Sequence, residues 1–298
     1  MRKNTTNTAK HAMNSTAAWI VLLFKGMLIG IGAILPGLSG GVLAVIFGIY
    51  DQLIAFLANI RKNFIQNMKF FLPIGIGAVF GIFLFSIAVK AAFGKYEAQF
   101  VCLFIGFVIG TLPSLYRKAG AFGRAIRQNV ILAVAAVAIF SLMMIGNSLP
   151  DIQPNTPVWF FSGAFVALGF IVPGLSTSNF LIYFGLYDKM AEAISLIDFF
   201  MLIPFGIGAV LCILLFAKFA FWLFKMYYAD MYHLIVGLVI GSSLAIFPAI
   251  VFPSFTDAGL AMLELSFTQA AVFSVIMLVA GIALSYAFSK LEDRYPTD

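Results

Sequence analysis

A chain of 298 residues that is 62% hydrophobic and 10% charged, with a mean hydropathy of +1.05, carries more apolar surface than a water-soluble core of that length can hide, so its solvent is lipid. The formal charge of +6 matters less than where the 18 Lys and Arg fall, and they do not gather on a soluble basic face of the kind that binds nucleic acid. Cys102 and Cys212 lie alone in apolar runs and only His11 and His233 are present, so there is no Cys/His metal spacing, no HExxH, no GxSxG and no GxxxxGK[ST]. The expectation is a protein without catalytic residues, metal or cofactor, and not an enzyme.

In chain order, a polar tail (1–16) with Arg2, Lys3 and Lys10 precedes an apolar run at 17–35. Further runs follow at 41–58, 70–93, 98–116, 129–146, 157–172, 178–187, 197–224, 232–252 and 267–289. Crossing about 30 Å of hydrocarbon takes about 20 apolar residues, so six of these ten runs can span alone. The other four flank two PGLS tetrapeptides, at 36–39 and 173–176.

Those tetrapeptides mark an internal repeat. Shifted by 137, residues 24–51 overlie 161–188 with twelve identities in twenty-eight positions, among them Pro36/Pro173, Gly37/Gly174, Ser39/Ser176, Tyr50/Tyr187 and Asp51/Asp188. Shifted by 131, PIGIGAV at 73–79 matches PFGIGAV at 204–210, and GFVIG at 106–110 matches GLVIG at 237–241. Each half therefore has an interrupted hairpin and three full spans. A hairpin contributes an even number of crossings and three spans an odd number, so the second half enters upside down relative to the first.

The expected fold is an all-α polytopic membrane protein of two inverted-topology repeats, each a PGLS re-entrant or broken helical hairpin plus three transmembrane helices. Repeat 1 covers 17–146 (hairpin 17–58, spans 70–93, 98–116 and 129–146), an external linker covers 147–156, and repeat 2 covers 157–289 (hairpin 157–187, spans 197–224, 232–252 and 267–289). A C-terminal tail, 290–298, closes the chain. With both termini in the cytoplasm, thirteen Lys and Arg fall in cytoplasmic loops and tails and two outside, as the positive-inside rule requires of an inner (plasma) membrane protein.

Pro lacks a backbone donor and Gly accepts unusual dihedrals, so Pro36-Gly37 and Pro173-Gly174 should break a helix inside the membrane. Backbone unpaired at that depth is tolerated only where protein or a watery cavity supplies partners. The residues after each break are small and donor-rich: Ser39, Gly40 and Gly41, then Ser176, Thr177, Ser178 and Asn179. A half-helix starting there offers amides, hydroxyls and the positive end of its dipole, which suits an anion. Inverted symmetry would bring the two sites together near the midplane.

The run KG…G…PGxSGG…GxY near the N-terminus, with a second PGxS…GxY in the following half, resembles the bacterial polyprenyl-phosphate (undecaprenyl-phosphate) transporter family, formerly a domain of unknown function. The resemblance covers essentially the whole chain through Lys25, Gly26, Pro36, Gly37, Ser39, Gly40, Gly41, Gly48 and Tyr50, then Pro173, Gly174, Ser176, Ser178, Gly185 and Tyr187. It implies translocation of undecaprenyl phosphate from the outer to the inner leaflet for reuse, with the lipid itself and surrounding membrane lipids as partners. Ala33, Val42, Thr177 and Asn179 depart from the family pattern. A transporter of a small soluble anion or ion with the same architecture is the alternative.

Lys25 stands eleven residues before Pro36, roughly 16 Å of helix, and an embedded Lys is a functional candidate by default. Asp51 and Asp188, each directly after Tyr, are candidates for head-group contact or coupling. So are Arg117 and Lys118 in the basic loop that also holds Arg124 and Arg127. Lys90 and Lys218 read as interfacial anchors. The GxxxG steps Gly77/Gly81, Gly106/Gly110 and Gly237/Gly241 read as close helix packing.

Overall fold

A computed structural model describes residues 16–34, 39–88, 94–146, 151–175 and 177–294, which contain helices and no strand. In the first half these are α1 (Thr16–Ile34), α2 (Gly40–Ile46), α3 (Tyr50–Ala58), α4 (Phe64–Ala88), α5 (Gly94–Ala119) and α6 (Ile126–Gly146). The second half has α7 (Thr156–Ile171), α8 (Thr177–Tyr183), α9 (Tyr187–Ser195), α10 (Phe199–Met226), α11 (Tyr228–Ile246), α12 (Asp257–Leu263) and α13 (Phe267–Arg294). Lipid offers a backbone no hydrogen-bond partners, and helices meet that need internally.

Six of the described helical segments are long and apolar enough to cross a membrane: α4, α5, α6, α10, α11 with its extension to Phe255, and α13. They are the six spans expected from hydropathy. The run at 41–58 is two helices, α2 and α3, bent by 113° across a short break. Gly48 turns the chain there at φ 71°, as Gly185 does at φ 64° between α8 and α9. The helices on either side of these two glycine turns have matched lengths: α2 and α8 are 7 residues each, α3 and α9 are 9.

Three boundaries differ from the hydropathy reading. The hairpin expected to end at 187 continues as α9, whose Asp188, Lys189 and Glu192 hide it from a hydropathy count while Tyr187, Met190 and Ala191 are buried beneath them. α4 begins at Phe64, ahead of the run at 70–93, and α13 continues past 289 to Arg294. Helical hydrogen bonding does not stop where lipid stops. α12 is a further short helix in the connection after α11, capped by Thr256, whose hydroxyl accepts from the Gly259 amide at 3.3 Å.

The long helices pack in pairs: α1 on α4, α7 on α10, α5 on α13 and α6 on α11. Glycine lets the backbones touch. A methyl at Gly26 would lie 2.1 Å from the Ile74 carbonyl of α4, and one at Gly163 would lie 1.9 Å from the Phe205 carbonyl of α10. On the other two seams, a methyl at Gly106 would lie 2.0 Å from the Leu278 carbonyl and one at Gly237 2.3 Å from that of Leu132, so the GxxxG steps are packing faces. α5 and α11 also touch each other. Within their apolar windows they are 56% and 50% buried, against 17–33% for the other four spans, which places them at the centre. Pro73, Pro113 and Pro204 lie inside α4, α5 and α10.

Candidate functional site

Ser39, at the described edge of the first break, and Gly174, in the second, line a cleft with Val108 and Val239 of this central pair. Pro36, Gly37 and Ser176 lie outside the described residues, and Ser178 and Asn179 are placed on α8 by their backbone. Ser39 precedes α2 in extended backbone (φ −111°, ψ 124°), and its hydroxyl does not cap α2. Instead it crosses to the other half and donates to the Gly169 carbonyl at 3.0 Å. Tyr50, at the start of α3, donates to the Ile171 carbonyl at 2.5 Å. Carbonyls in the last turn of a helix have no partner within it, so the first hairpin satisfies the end of α7 where α7 meets the second break.

Small residues permit this approach. A methyl at Gly41 would lie 2.6 Å from the Gly169 carbonyl, and one at Gly40 would lie 2.7 Å from that of Ile29 and 3.0 Å from the Phe170 ring. On the far side, a methyl at Gly169 would lie 2.7 Å from the hydroxyl of Thr177, which is buried. In the second break, Pro173 is buried and Gly174 turns at φ 92°, where a methyl would lie 2.8 Å from the Leu238 side chain and 3.1 Å from the Ile235 carbonyl of α11.

Between the breaks and the central helices is a narrow cleft lined by Ser39, Val42, Val108, Gly174, Val239, Ser242 and Ser243. Its volume of about 10 Å³ holds about one water. Ser242 and Ser243 were not singled out from sequence; the paired serines directly after GLVIG were the available signal. Between α5, α6 and α11 lies a wider apolar recess of about 430 Å³ lined by Leu112, Pro113, Tyr116, Leu132, Val236 and Ile240 among others.

Lys25 is buried at 5% exposure, donates to the Phe47 carbonyl at 3.3 Å and stands 5.8 Å from the Phe47 ring centre. That is the C-terminal end of α2, where a cation meets the negative end of the helix, and Ser39 is at the opposite end. Lys25 therefore holds α1 to α2 instead of lining the cleft.

Asp51 is gathered into a network of three helices. The Tyr232 hydroxyl donates to it at 2.9 Å and that of Tyr228 at 3.4 Å, both from α11, and the Lys118 ammonium of α5 stands at 3.7 Å. The same ammonium lies 5.4 Å from the Tyr232 ring centre. The sequence points to Asp51 and Lys118 separately; the two tyrosines, which it does not single out, join them. Asp188, the repeat partner of Asp51, is exposed, as is Arg117. Of the remaining basic loop, Arg127 pairs with Asp230, and Arg124 donates to the Tyr116 carbonyl at 3.1 Å.

The undecaprenyl phosphate translocase-like family model matches the chain over residues 5–123 and again over 29–258. A polyprenyl-phosphate transporter of Vibrio cholerae serotype O1 is 25% identical over 250 residues, covering 78% of this chain and 79% of the relative. A polyprenyl-phosphate transporter of Staphylococcus aureus is 26% identical over 247 residues, covering 78% and 87%. No solved structure matches. Taken with the six membrane-length helices and the paired breaks, the match makes this a multi-pass membrane protein of the undecaprenyl phosphate translocase-like family.

Proposed function

We propose that this protein carries undecaprenyl phosphate or a similar polyprenyl phosphate from the outer to the inner leaflet of the bacterial plasma membrane, returning the carrier lipid for reuse. The two halves act as inverted repeats around the α5–α11 pair. The observation that carries this reading is the meeting of the two breaks: Ser39 and Tyr50 of one half bond the last carbonyls of α7, directly before the other break. The matched helix lengths and the paired glycine seams support the inverted repeat. The names of the Vibrio and Staphylococcus relatives support the substrate.

A cleft for one water does not hold a phosphate, so the cycle needs the two breaks to part from α11 and from each other. Parting would free Ser39 from Gly169 and expose it, with Ser176, Thr177, Ser178, Asn179, Gly40, Gly41 and the serines of α11, as donors to the lipid phosphate. Asp51 with Lys118 would hold the first hairpin shut on the side where Lys and Arg gather, the side this reading assigns to the cytoplasm. The recess between α5, α6 and α11 is apolar and favours a prenyl chain over the alternative cargo, a small soluble anion.

Proteoliposomes test this. The protein should move polyprenyl phosphate between leaflets and leave inorganic phosphate where it is, and Ser39→Ala or Gly40→Leu should slow the lipid. Equal transport of inorganic phosphate would favour the soluble-anion reading, and no effect of either substitution would remove the site.

A further inference from the structure

A second groove, of about 460 Å³, opens where the loop after α3 meets α10, and Asn59, Arg61, Lys62, Leu214 and Lys218 line it. Lys218 is the unusual member. It sits eight residues before the end of α10, about 12 Å of helix, on a face whose neighbours Leu214, Phe219 and Trp222 are exposed as lipid-facing residues are. Trp222 stacks on Phe219 at 5.9 Å and meets Tyr227 at 6.1 Å, the amphipathic aromatics that mark a membrane boundary, and Lys218 lies a turn deeper. An ammonium there costs free energy unless it reaches water or meets an anion. Among the described residues, no carboxylate pairs with Arg61, Lys62 or Lys218.

The loop that supplies the other two cations is held in shape. Asn63 adopts φ 53°, the Lys62 amide donates to the Asn59 carbonyl at 2.9 Å, and the Asn67 side chain donates to the Lys62 carbonyl at 3.1 Å. The corresponding place in the second half differs in both parts. There the connection from α9 to α10 is only residues 196–198, with Asp198 capping α10 by accepting from the Phe200 amide at 2.9 Å. The position matching Lys218 at the shift of 131 is Ile87. The change of shift from 137 to 131 means that the first half carries extra residues after α3, and Arg61 and Lys62 are in that stretch. Orientation by the positive-inside rule accounts for loop cations, but it asks for no Lys within a span and no convergence of three cations on one groove.

We infer that this groove binds the phosphomonoester head of a membrane lipid in the leaflet on the Lys/Arg-rich side, with the chain lying along the Leu214 face of α10. This rests on the proposed function and adds to it a landing site outside the central cleft. A phosphomonoester carries close to two negative charges and three acceptor oxygens, matching three unpaired cations that also border hydrocarbon. A free phosphate ion shares that head chemistry but has no use for the apolar face.

The full-length protein in nanodiscs containing photoreactive farnesyl phosphate tests the assignment. Labelling should map to peptides covering residues 57–62 and 214–218. Lys218→Met should lower it about fivefold and the triple change with Arg61→Gln and Lys62→Gln much further, at about fivefold per cation removed; Lys218→Arg should retain it. Farnesol should fail to compete, and inorganic phosphate should compete only weakly. Labelling elsewhere, labelling indifferent to the triple change, or competition by inorganic phosphate equal to that of farnesyl phosphate would overturn the assignment. Transport assayed on the same preparations separates the two readings: intact lipid transport with an unlabelled groove removes the groove alone, whereas a labelled groove in a protein that moves no lipid keeps the groove and removes the transport reading.

Discussion

The two short hairpins share lengths, turns and glycines but not electrostatics. After the first break, Asp51 is tied to Tyr228, Tyr232 and Lys118, and α3 leads into a loop with Arg61 and Lys62. After the second, Asp188 is exposed and α9 leads into a loop with Asp198. The two hairpins pack alike, whereas of the two matched aspartates only Asp51 is held by a cation and tyrosines while Asp188 is exposed. Packing depends on shape and serves either orientation equally, but charge must match the side of the membrane it faces. A carrier with equal halves would have no preferred side on which to hold an anion, and this one has a cationic end.

The comparison breaks most directly at the shared glycines. Gly26→Leu and Gly163→Leu each drive a side chain into a facing carbonyl and should destabilise the protein by about 3 kcal/mol or more, or prevent folding. Gly75 and Gly206, at corresponding positions with nothing within 4 Å, should tolerate Ala, with a gain of up to about 1 kcal/mol from helix propensity. Thermal unfolding in detergent reads all four. Unequal effects within either pair would mean that the halves are not packed alike.

The charged network should then separate the halves. Tyr232→Phe removes a hydrogen bond to a carboxylate, which is worth about 1.5 kcal/mol. Asp188→Asn, at an exposed residue, should stay within about 0.5 kcal/mol of the parent. A smaller loss than that of Tyr232→Phe, about 1 kcal/mol, is expected for Ser39→Ala, which gives up a single neutral hydrogen bond to Gly169. Transport should nevertheless fall in Ser39→Ala and not in Asp188→Asn, because only Ser39 lines the cleft.

Much of this was legible in the amino-acid sequence. The six spans are long apolar runs, and the breaks announce themselves because the same Pro-Gly-Leu-Ser tetrapeptide recurs at 36–39 and 173–176, whereas a lone Pro such as Pro73, Pro113 or Pro204 is carried inside a helix. α9 was not legible, since its charged face resembles a loop and only its buried face betrays it. Nor was the setting of Asp51, whose tyrosine partners are 177 and 181 residues away and come near only when α11 docks. Lys25 shows the reverse problem. Its place in an apolar run was legible, but its partner, the Phe47 carbonyl at the C-terminal end of α2, is 22 residues away and depends on how α1 and α2 pack.

The central claim is that lipid passes only when the two breaks part from the core. Ser39 and Ser242 line the same cleft, so cysteines at both, with Cys102 and Cys212 replaced by Ala, allow that cleft to be stapled by oxidation in proteoliposomes. Stapled protein should stop moving polyprenyl phosphate and, on reduction, return to the lowered rate of the same double-cysteine protein before oxidation. Undiminished transport by fully stapled protein would contradict the account.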